Sequence, residues 1–280
     1  GTATSNSIGI WSITTGQLSD GVHDLTATAT DSVGNTSAAS TPLTITIDTT
    51  APSVAVDSLL TNDTSPPLSG TIDDQTAAIS VTVNGEIVTA TNNGDGTWSV
   101  DDNTLQSPLN HGIYDVTVTA TDVADNAASN STTDALNIDT TDPVAPSTPV
   151  LDAGSDSGTQ GDGLTNITSP VFSGTAEPFA VVELLEGAAL VGDTVADELG
   201  NWSITSVELT EGEHTLVAQQ TDLAGNGPGA PSAGITFEIR TTPPSAPSTP
   251  DLFAASDTGV SDTDDITPDT TPTIAGFSGP

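Results

Sequence analysis

The sequence predicts an all-β protein built from small β-sandwich units repeated in tandem. Three observations lead to this prediction: sequence motifs recur in a fixed order, apolar and polar residues alternate along short segments, and prolines cluster between the repeats. Hydrophobic residues make up 34% of the chain and aromatic residues 3%, which suits thin two-layer cores of Val, Ile, Leu and Ala. A large enzyme core fits this composition poorly.

Three motifs define the repeats and recur roughly every 90 to 100 residues. A short segment around tryptophan reads GIWSI, GTWSV and GNWSI at Trp11, Trp98 and Trp202. A longer segment reads HDLTATATDSVGN, YDVTVTATDVADN and HTLVAQQTDLAGN. Each repeat closes with IDTTAP, IDTTDP or IRTTPP, and a fourth repeat begins at PSTPDLFAASDTG.

Alternation of apolar and polar residues before each TD loop predicts β-strands. Val116, Val118 and Ala120 fall on one face of such a strand, and the threonines between them fall on the other. Turn signals such as Asn84-Gly85 separate short β-branched runs, at the spacing typical of an all-β sandwich. No long helical pattern interrupts these runs.

Proline-rich joints set the predicted domain boundaries. They lie near Pro52, Pro143 to Pro149 and Pro243 to Pro250, where proline makes the connector stiff and extended. The chain therefore divides into the C-terminal part of repeat 1 (residues 1–51), repeat 2 (52–143), repeat 3 (144–243) and the N-terminal part of repeat 4 (244–280).

The charge of the chain is strongly one-sided. Its 38 acidic residues face a single basic residue, Arg240, which gives a net charge of −37. Nucleic acid and anionic membrane surfaces would repel such a chain, and no run of about 18 apolar residues could insert into a bilayer. With so few cations of its own, the folded chain is expected to bind cations from outside. Because no leader opens the chain at Gly1, we expect it to begin inside a larger protein.

Oxygen-rich loops predict where such a cation binds. Calcium prefers six to eight oxygen ligands from carboxylates, Asn side chains and backbone carbonyls, which makes Ca²⁺ the predicted cofactor. The candidate ligands in the TD loops, the closing segments and the acidic opening loops are Asp31, Asn35, Asp48, Asp122, Asp125, Asn126, Asp139, Asp156, Asp162, Asp222, Asn226, Asp257, Asp262 and Asp264. For the TD loops a second interpretation stays open, a plain turn in which Asp hydrogen-bonds its own backbone and Gly supplies a positive φ. Arg240 replaces the aspartate of the third closing segment, which removes a carboxylate ligand there.

The histidines have a structural interpretation. His23 and His214 share one repeat position with Tyr114, which indicates a packing and hydrogen-bonding role and not a metal ligand, while His111 stands alone in a turn-like stretch. The three tryptophans follow glycine turns and begin alternating strands, so packing is favoured over stacking on sugars. No convergent set of acid, base and nucleophile stands out, and an enzyme is not expected.

With the TD-x-x-G-N loop, the G-x-W-S strand and the IDTTAP segment together, the sequence resembles the bacterial Ig-like repeats of giant adhesins of the RTX type, exported by type I secretion. The resemblance covers essentially the whole chain. It implies an Ig-like β-sandwich, with the shared His/Tyr position as its corner tyrosine. It also implies calcium at and near the joints, and a location outside the cell at the bacterial surface.

The function expected from this resemblance is that of a spacer, which holds a distal binding domain away from the cell. Calcium at the joints would neutralise carboxylates and restrict the hinges, so that a monomeric array of repeats becomes an extended rod carrying a distal binding domain for cell adhesion or biofilm formation. The expected partners are calcium ions and neighbouring repeats, while host-cell or glycan ligands bind other domains. The alternative is that the third repeat, whose segment 176–199 diverges most from its neighbours, is itself a carbohydrate- or receptor-binding module.

Overall fold

A computed structural model of the chain describes residues 1–258, 260–261 and 263–278. Twenty β-strands form the regular secondary structure of these residues, so the predicted all-β class is confirmed. Nothing within them forms a helix with the length and apolar character that a membrane crossing requires.

The chain divides into two compact units, Gly1–Pro143 with Thr221–Gly227, and Val144–Gln220 with Pro228–Pro280. The strands before residue 144 are β1 (Gly21–Leu25), β2 (Leu43–Ile47), β3 (Val54–Val56), β4 (Leu59–Thr61), β5 (Leu68–Ile72), β6 (Ala78–Val83), β7 (Glu86–Asn92), β8 (Thr97–Val100), β9 (Gly112–Thr121) and β10 (Ala127–Ile138). The later strands are β11 (Val150–Leu151), β12 (Leu164–Thr165), β13 (Val171–Thr175), β14 (Val181–Glu186), β15 (Ala189–Val195), β16 (Asn201–Thr205), β17 (Gly212–Thr221), β18 (Ile235–Ile239), β19 (Asp251–Leu252) and β20 (Ile274–Ala275).

Repeat 2 is built from one sheet of eight strands in the order β3-β5-β8-β7-β6-β9-β10-β4. The sheet folds over on itself at β7, which pairs with β6 through residues 86–90 and with β8 through Thr91 and Asn92. The Asn84-Gly85 turn that joins β6 to β7 has φ values of 50° and 81°, as a two-residue hairpin requires.

The core of repeat 2 follows the alternation seen in the sequence. Val116, Val118 and Ala120 of β9 are fully buried, and they pack with Trp98 and Leu136 in one apolar cluster. The threonines between them are only half-buried. The strand and core-face predictions for this repeat therefore agree with the structure.

Repeat 3 has the same strand order as repeat 2, but its strands form two separate sheets, because β15 and β16 are not paired as β7 and β8 are. Its three-stranded sheet runs β11-β13-β16, and its five-stranded sheet runs β12-β18-β17-β14-β15. The rings of Phe172 and Phe237 lie 5.1 Å apart in its core. The parts of repeats 1 and 4 form two-stranded pairs, β1 with β2 and β19 with β20.

A glycine lies opposite the tryptophan in each of repeats 2 and 3. Gly70 of β5 pairs with Trp98 of β8, and Gly174 of β13 pairs with Trp202 of β16. A Cβ atom on Gly70 would lie 2.0 Å from the carbonyl oxygen of Ala55, to which the Trp98 indole N–H donates at 2.9 Å. Trp98 and Trp202 therefore pack in the core, as predicted, whereas Trp11 of repeat 1 is 53% exposed.

Candidate functional site

Among the described residues, four loops of five residues share one hydrogen-bond pattern, and we call them the Asp–Asn loops. In loop 31–35, Asp31 Oδ1 accepts the backbone N–H of Asn35 at 2.8 Å, and Asp31 Oδ2 accepts the Asn35 side-chain amide at 2.8 Å. Loops 122–126, 197–201 and 222–226 are closed by the same Asp-to-Asn contacts. Loop 197–201 was not predicted from the sequence, although its D-x-x-G-N signal is present, because it comes before the tryptophan strand and is not part of a TD segment.

The fourth residue of each Asp–Asn loop has a left-handed backbone. Gly34, Gly200 and Gly225 have φ values of 92°, 81° and 94°, and Asp125 takes φ of 67° at the equivalent position. Asp125 is exposed at the tip of its loop, where glycine would fit the backbone with less strain. These features match the turn interpretation of the loops, and the roles of Asp31, Asn35, Asp122, Asp125, Asn126, Asp222 and Asn226 as calcium ligands stay predictions.

The hydrogen bonds within the loops also lower the pKa of three of their aspartates. The bond from the Asn side chain is the main cause that holds the pKa of Asp31, Asp122 and Asp197 below the ordinary aspartate value. These carboxylates are therefore ionised at neutral pH, and a neutral amide donor lies beside each of them.

The closing segments contact two of these loops through their backbone. The carboxylates of Asp48 and Asp139 accept the N–H groups of Thr50 and Thr141, at 3.0 and 2.9 Å. Their carbonyl oxygens accept the side-chain amides of Asn126 and Asn226, at 3.1 and 2.8 Å. All these residues belong to the first compact unit. The structure thus brings both predicted closing aspartates to a predicted Asn, with the carbonyl as the contacting group.

The residue at one repeat position contacts the Thr-Thr pair of each closing segment through its side chain. Asp20 accepts the hydroxyls of Thr49 and Thr50 at 2.8 and 3.1 Å, and Glu211 accepts those of Thr241 and Thr242, both at 2.8 Å. In repeat 2 the position is occupied by His111, whose Nδ1 lies 3.5 Å from the Thr141 hydroxyl and 3.3 Å from the Asp139 carboxylate. His111 therefore occupies a repeat position, which sequence analysis missed because Asp, His and Glu alternate there.

An acidic loop of repeat 3, residues 152–166, encloses a buried carboxylate. Asp156 is 7% exposed; its Oδ2 accepts the N–H of Gly161, and its Oδ1 has no hydrogen-bond partner among the described residues. In repeat 4 Asp257 is 5% exposed, and its Oδ1 likewise has no partner there. The preceding serines, Ser155 and Ser256, each accept an N–H from a later segment, at 2.8 and 3.0 Å. Two loops of similar construction thus each bury the Oδ1 atom of an aspartate without a hydrogen-bond partner among the described residues; we call these two atoms the orphaned oxygens.

No basic side chain in the described ranges neutralises these two aspartates. The contacts found there between a basic and an acidic side chain join His111 to Asp139, His214 to Glu186, and Arg240 to Glu238. Burial of an unpaired carboxylate is costly, so an orphaned oxygen at two equivalent places fits a bound cation. Over the same ranges no group of three His, Cys, Asp or Glu side chains could hold a metal ion, so a calcium ion there would depend on backbone carbonyls for other ligands.

The remaining predicted ligands lie in local turns. Asp162 accepts the N–H of Leu164 at 2.9 Å, and Asp264 accepts that of Ile266 at 3.2 Å. Asp262 lies outside the described residues. The roles of these three aspartates as ligands stay predictions.

The corner position has the hydrogen bond that its interpretation requires. Tyr114 donates its hydroxyl to the carbonyl of Asn110 at 3.0 Å, four residues earlier. The Nε2 atoms of His23 and His214 make the same contact four residues back, at 2.7 and 2.8 Å. The structural role predicted for this position is confirmed.

His214 is expected to make the stability of repeat 3 depend on pH. Burial alone lowers the pKa of His214, but the hydrogen bonds to Thr210 and Glu186 and the charge of Glu186 outweigh it and raise this pKa above the ordinary value. The stabilisation by the charged ring is therefore complete below the pKa of the unfolded chain, about 6.5, and is lost as pH rises through the folded-state pKa. Calorimetry should show a melting temperature of repeat 3 that falls above pH 6.5 or so.

The variant His214→Tyr is the control, because it places the corner residue of repeat 2 into repeat 3. Its hydroxyl can still donate to the Thr210 carbonyl, while the titrating group is gone. If the variant kept the full pH dependence of the natural chain, groups other than His214 would be its cause.

Several solved structures are similar to this chain. They include a Ca²⁺-stabilized adhesin that helps an Antarctic bacterium reach out and bind ice, with 21% identity and a TM-score of 0.33 over 83% of this chain and 60% of that one. The BSP domain of a biofilm associated protein aligns with 20% identity and a TM-score of 0.27 over 68% of this chain and 30% of that one. A tetra-tandem repeat in the extending region of a large adhesion protein aligns with 24% identity and a TM-score of 0.30 over 89% and 65%. This chain spans less than two thirds of the length of all three.

Curated proteins give no match to the sequence. A protein-family match, in contrast, covers three consecutive segments, residues 1–49, 53–140 and 143–241, and its description is Bacterial Ig-like domain. Together these segments cover most of the chain, in agreement with the repeated topology of strands β3–β10 and β11–β18. The chain therefore belongs to the bacterial Ig-like domain family.

Proposed function

We propose that the chain is a spacer of a large adhesin, exported by type I secretion to the bacterial cell surface. Its tandem repeats, residues 1–51, 52–143, 144–243 and 244–280, form an extended monomeric rod that projects a distal ligand-binding domain for adhesion or biofilm formation. The observation that carries this proposal is that repeats 2 and 3 have the same strand order in succession. Length that grows with every unit suits a function in which reach matters and no reaction is catalysed.

Calcium is the cofactor in this proposal. Asp156 in repeat 3 and Asp257 in repeat 4 would hold the ion with their orphaned oxygens, together with backbone carbonyls of their loops. Bound calcium supplies positive charge to a buried carboxylate in a chain of net charge −37. Loops that surround the ion are then stabilised by its binding free energy.

Calcium is expected to raise the melting temperature of the chain, because the ion binds only the folded loops. It is also expected to lengthen the chain, because in the spacer proposal calcium restricts the hinges between repeats. At a free concentration 100 times the dissociation constant, one site adds about 2.7 kcal/mol to the free energy of unfolding. The variant Asp156→Asn should lose this gain in repeat 3, since its amide carries no charge. Calorimetry and small-angle scattering in calcium, in magnesium and in excess chelator at equal ionic strength measure both effects.

The matched control is Asp193→Asn, which removes an exposed carboxylate of β15 in the same repeat. It should keep the calcium response. In chelator Asp156→Asn should be at least as stable as the natural chain, because a buried charge has been removed. An equal calcium response in Asp156→Asn and the natural chain would refute the proposed site.

A second candidate function is a binding module in repeat 3. Phe179 lies in the divergent segment 176–199, is 47% exposed and has a left-handed φ of 61°, which is unusual for a bulky residue. Strain of this kind concentrates at functional sites. A glycan-binding assay with the natural chain and Phe179→Ala separates a carbohydrate-binding repeat from a pure spacer.

A further inference from the structure

Two of the four Asp–Asn loops have a hydrogen bond that the other two lack. The Asn126 side-chain amide lies 2.8 Å from the Asp122 carboxylate and 3.1 Å from the Asp48 carbonyl. The Asn226 amide lies 2.8 Å from the carboxylate of Asp222 in its own loop and 2.8 Å from the Asp139 carbonyl. In the described residues, the amides of Asn35 and Asn201 contact the aspartates of their own loops alone.

Both acceptors occupy one position of the repeat. Asp48 and Asp139 are the second residues of the I-D-T-T closing segments, and each precedes the repeat that supplies the Asn. Asn62 of repeat 2 adds two bonds to loop 222–226: its backbone N–H donates to Ala224 O at 3.0 Å and its side chain to Gly225 O at 2.8 Å. Every residue in these contacts lies in the first compact unit.

An amide is the chemical group that this position requires. A carbonyl oxygen and an ionised carboxylate converge on one nitrogen, and the NH₂ group of Asn has one hydrogen for each of them. An aspartate could donate to neither oxygen, and alanine would leave both without a partner. Since Asn226 and Asp122 are buried, unpaired oxygens there would be costly.

We infer that Asn126 and Asn226 fasten repeats 2 and 3 to the closing segment of the repeat before each of them, without a metal ion at these contacts. The acceptor is the backbone, so the side chain of the closing residue is not needed. Arg240 fits this, because its N–H donates to Thr165 O at 2.8 Å as that of Asp139 donates to Thr61 O at 2.9 Å. The inference goes beyond the spacer proposal and holds whether or not Asp156 binds calcium.

Amide hydrogen exchange by NMR tests this inference on the whole chain. The N–H of Asn62 reports the contact with loop 222–226, and the N–H of Asp139 reports the fold of repeat 2 itself. In Asn226→Ala the Asn62 amide should exchange about ten times faster, in calcium and in chelator alike, while Asp139 stays protected. Asn201→Ala, which disturbs an Asp–Asn loop without a second acceptor, should leave Asn62 unchanged.

Two outcomes would overturn the inference. One is an unchanged Asn62 exchange rate in Asn226→Ala. The other is a natural chain in which chelator exposes Asn62 while the Arg240 N–H, which bonds Thr165 O within repeat 3, stays protected, as expected if a metal ion closed the joint. If Asn226→Ala also exposed Asp139, Asn226→Ser decides the matter, since its one hydroxyl hydrogen can serve Asp222 but not the carbonyl as well. An Asn62 amide that stayed protected in Asn226→Ser would likewise overturn the inference. The calcium proposal is decided separately by Asp156→Asn, so each can fail alone.

Discussion

Gly70→Ala is expected to destabilise repeat 2 by at least about 3 kcal/mol, because the new methyl group has no space. Its Cβ would lie 2.0 Å from the backbone oxygen of Ala55 and 2.7 Å from the Trp98 ring. Backbone cannot move aside without separating β3 from β5. In a domain of this size about 1 kcal/mol lowers the melting temperature by roughly 4 to 8 °C, so calorimetry detects the effect easily.

Two variants show whether the clash is the cause. Thr71→Ala changes an exposed neighbour on the same strand and should alter stability by less than about 0.5 kcal/mol. Gly174→Ala should destabilise repeat 3 by a smaller amount, since its Cβ meets side chains, at 2.5 Å from the Trp202 ring and 2.7 Å from the Ser147 hydroxyl. Equal losses at Gly70 and Gly174 would argue against backbone contact as the origin.

Local periodicity was sufficient to predict the strands and the core face, but not the partners across the sheet. The alternation around Val116 and Val118 is a property of one strand, and burial of one face follows from it. The pairing of Gly70 with Trp98 depends on which strands are neighbours, and the spacing of motifs does not contain this information. The Ser-Gly-Thr sequence shared by β5 and β13 was the available signal.

The candidate site shows the same limit. Composition and spacing drew attention to the TD loops and the closing segments, which the structure brings into contact. They could not show that Asp48 and Asp139 meet the Asn side chains through carbonyl oxygens, because every residue has a carbonyl. Burial of Asp156 and Asp257 was equally hidden, since neighbouring aspartates of the same loops are exposed.

Trp98→Ala is expected to lower the stability of repeat 2 by about 3 to 5 kcal/mol, the usual cost of removing a fully buried tryptophan. The Trp98 side chain is 0% exposed, and its loss leaves a cavity between the two layers of the sandwich. Trp11 has the same sequence context but is 53% exposed, so Trp11→Ala should change stability by less than about 0.5 kcal/mol. Unfolding in denaturant, followed by the NMR signals of β9, measures the loss in repeat 2 alone.

Phenylalanine variants separate the hydrogen bond of the indole from its packing. Trp98→Phe loses the hydrogen bond to the Ala55 carbonyl, which contributes about 1 kcal/mol, and it also loses packing because its ring is smaller. Trp202→Phe should cost less, since the Trp202 N–H is buried with no partner in the described part of the chain. If both variants lost the same stability, packing alone would account for the tryptophan at this position. A larger loss at Trp98 would show that its indole N–H also fastens β3 to the sandwich.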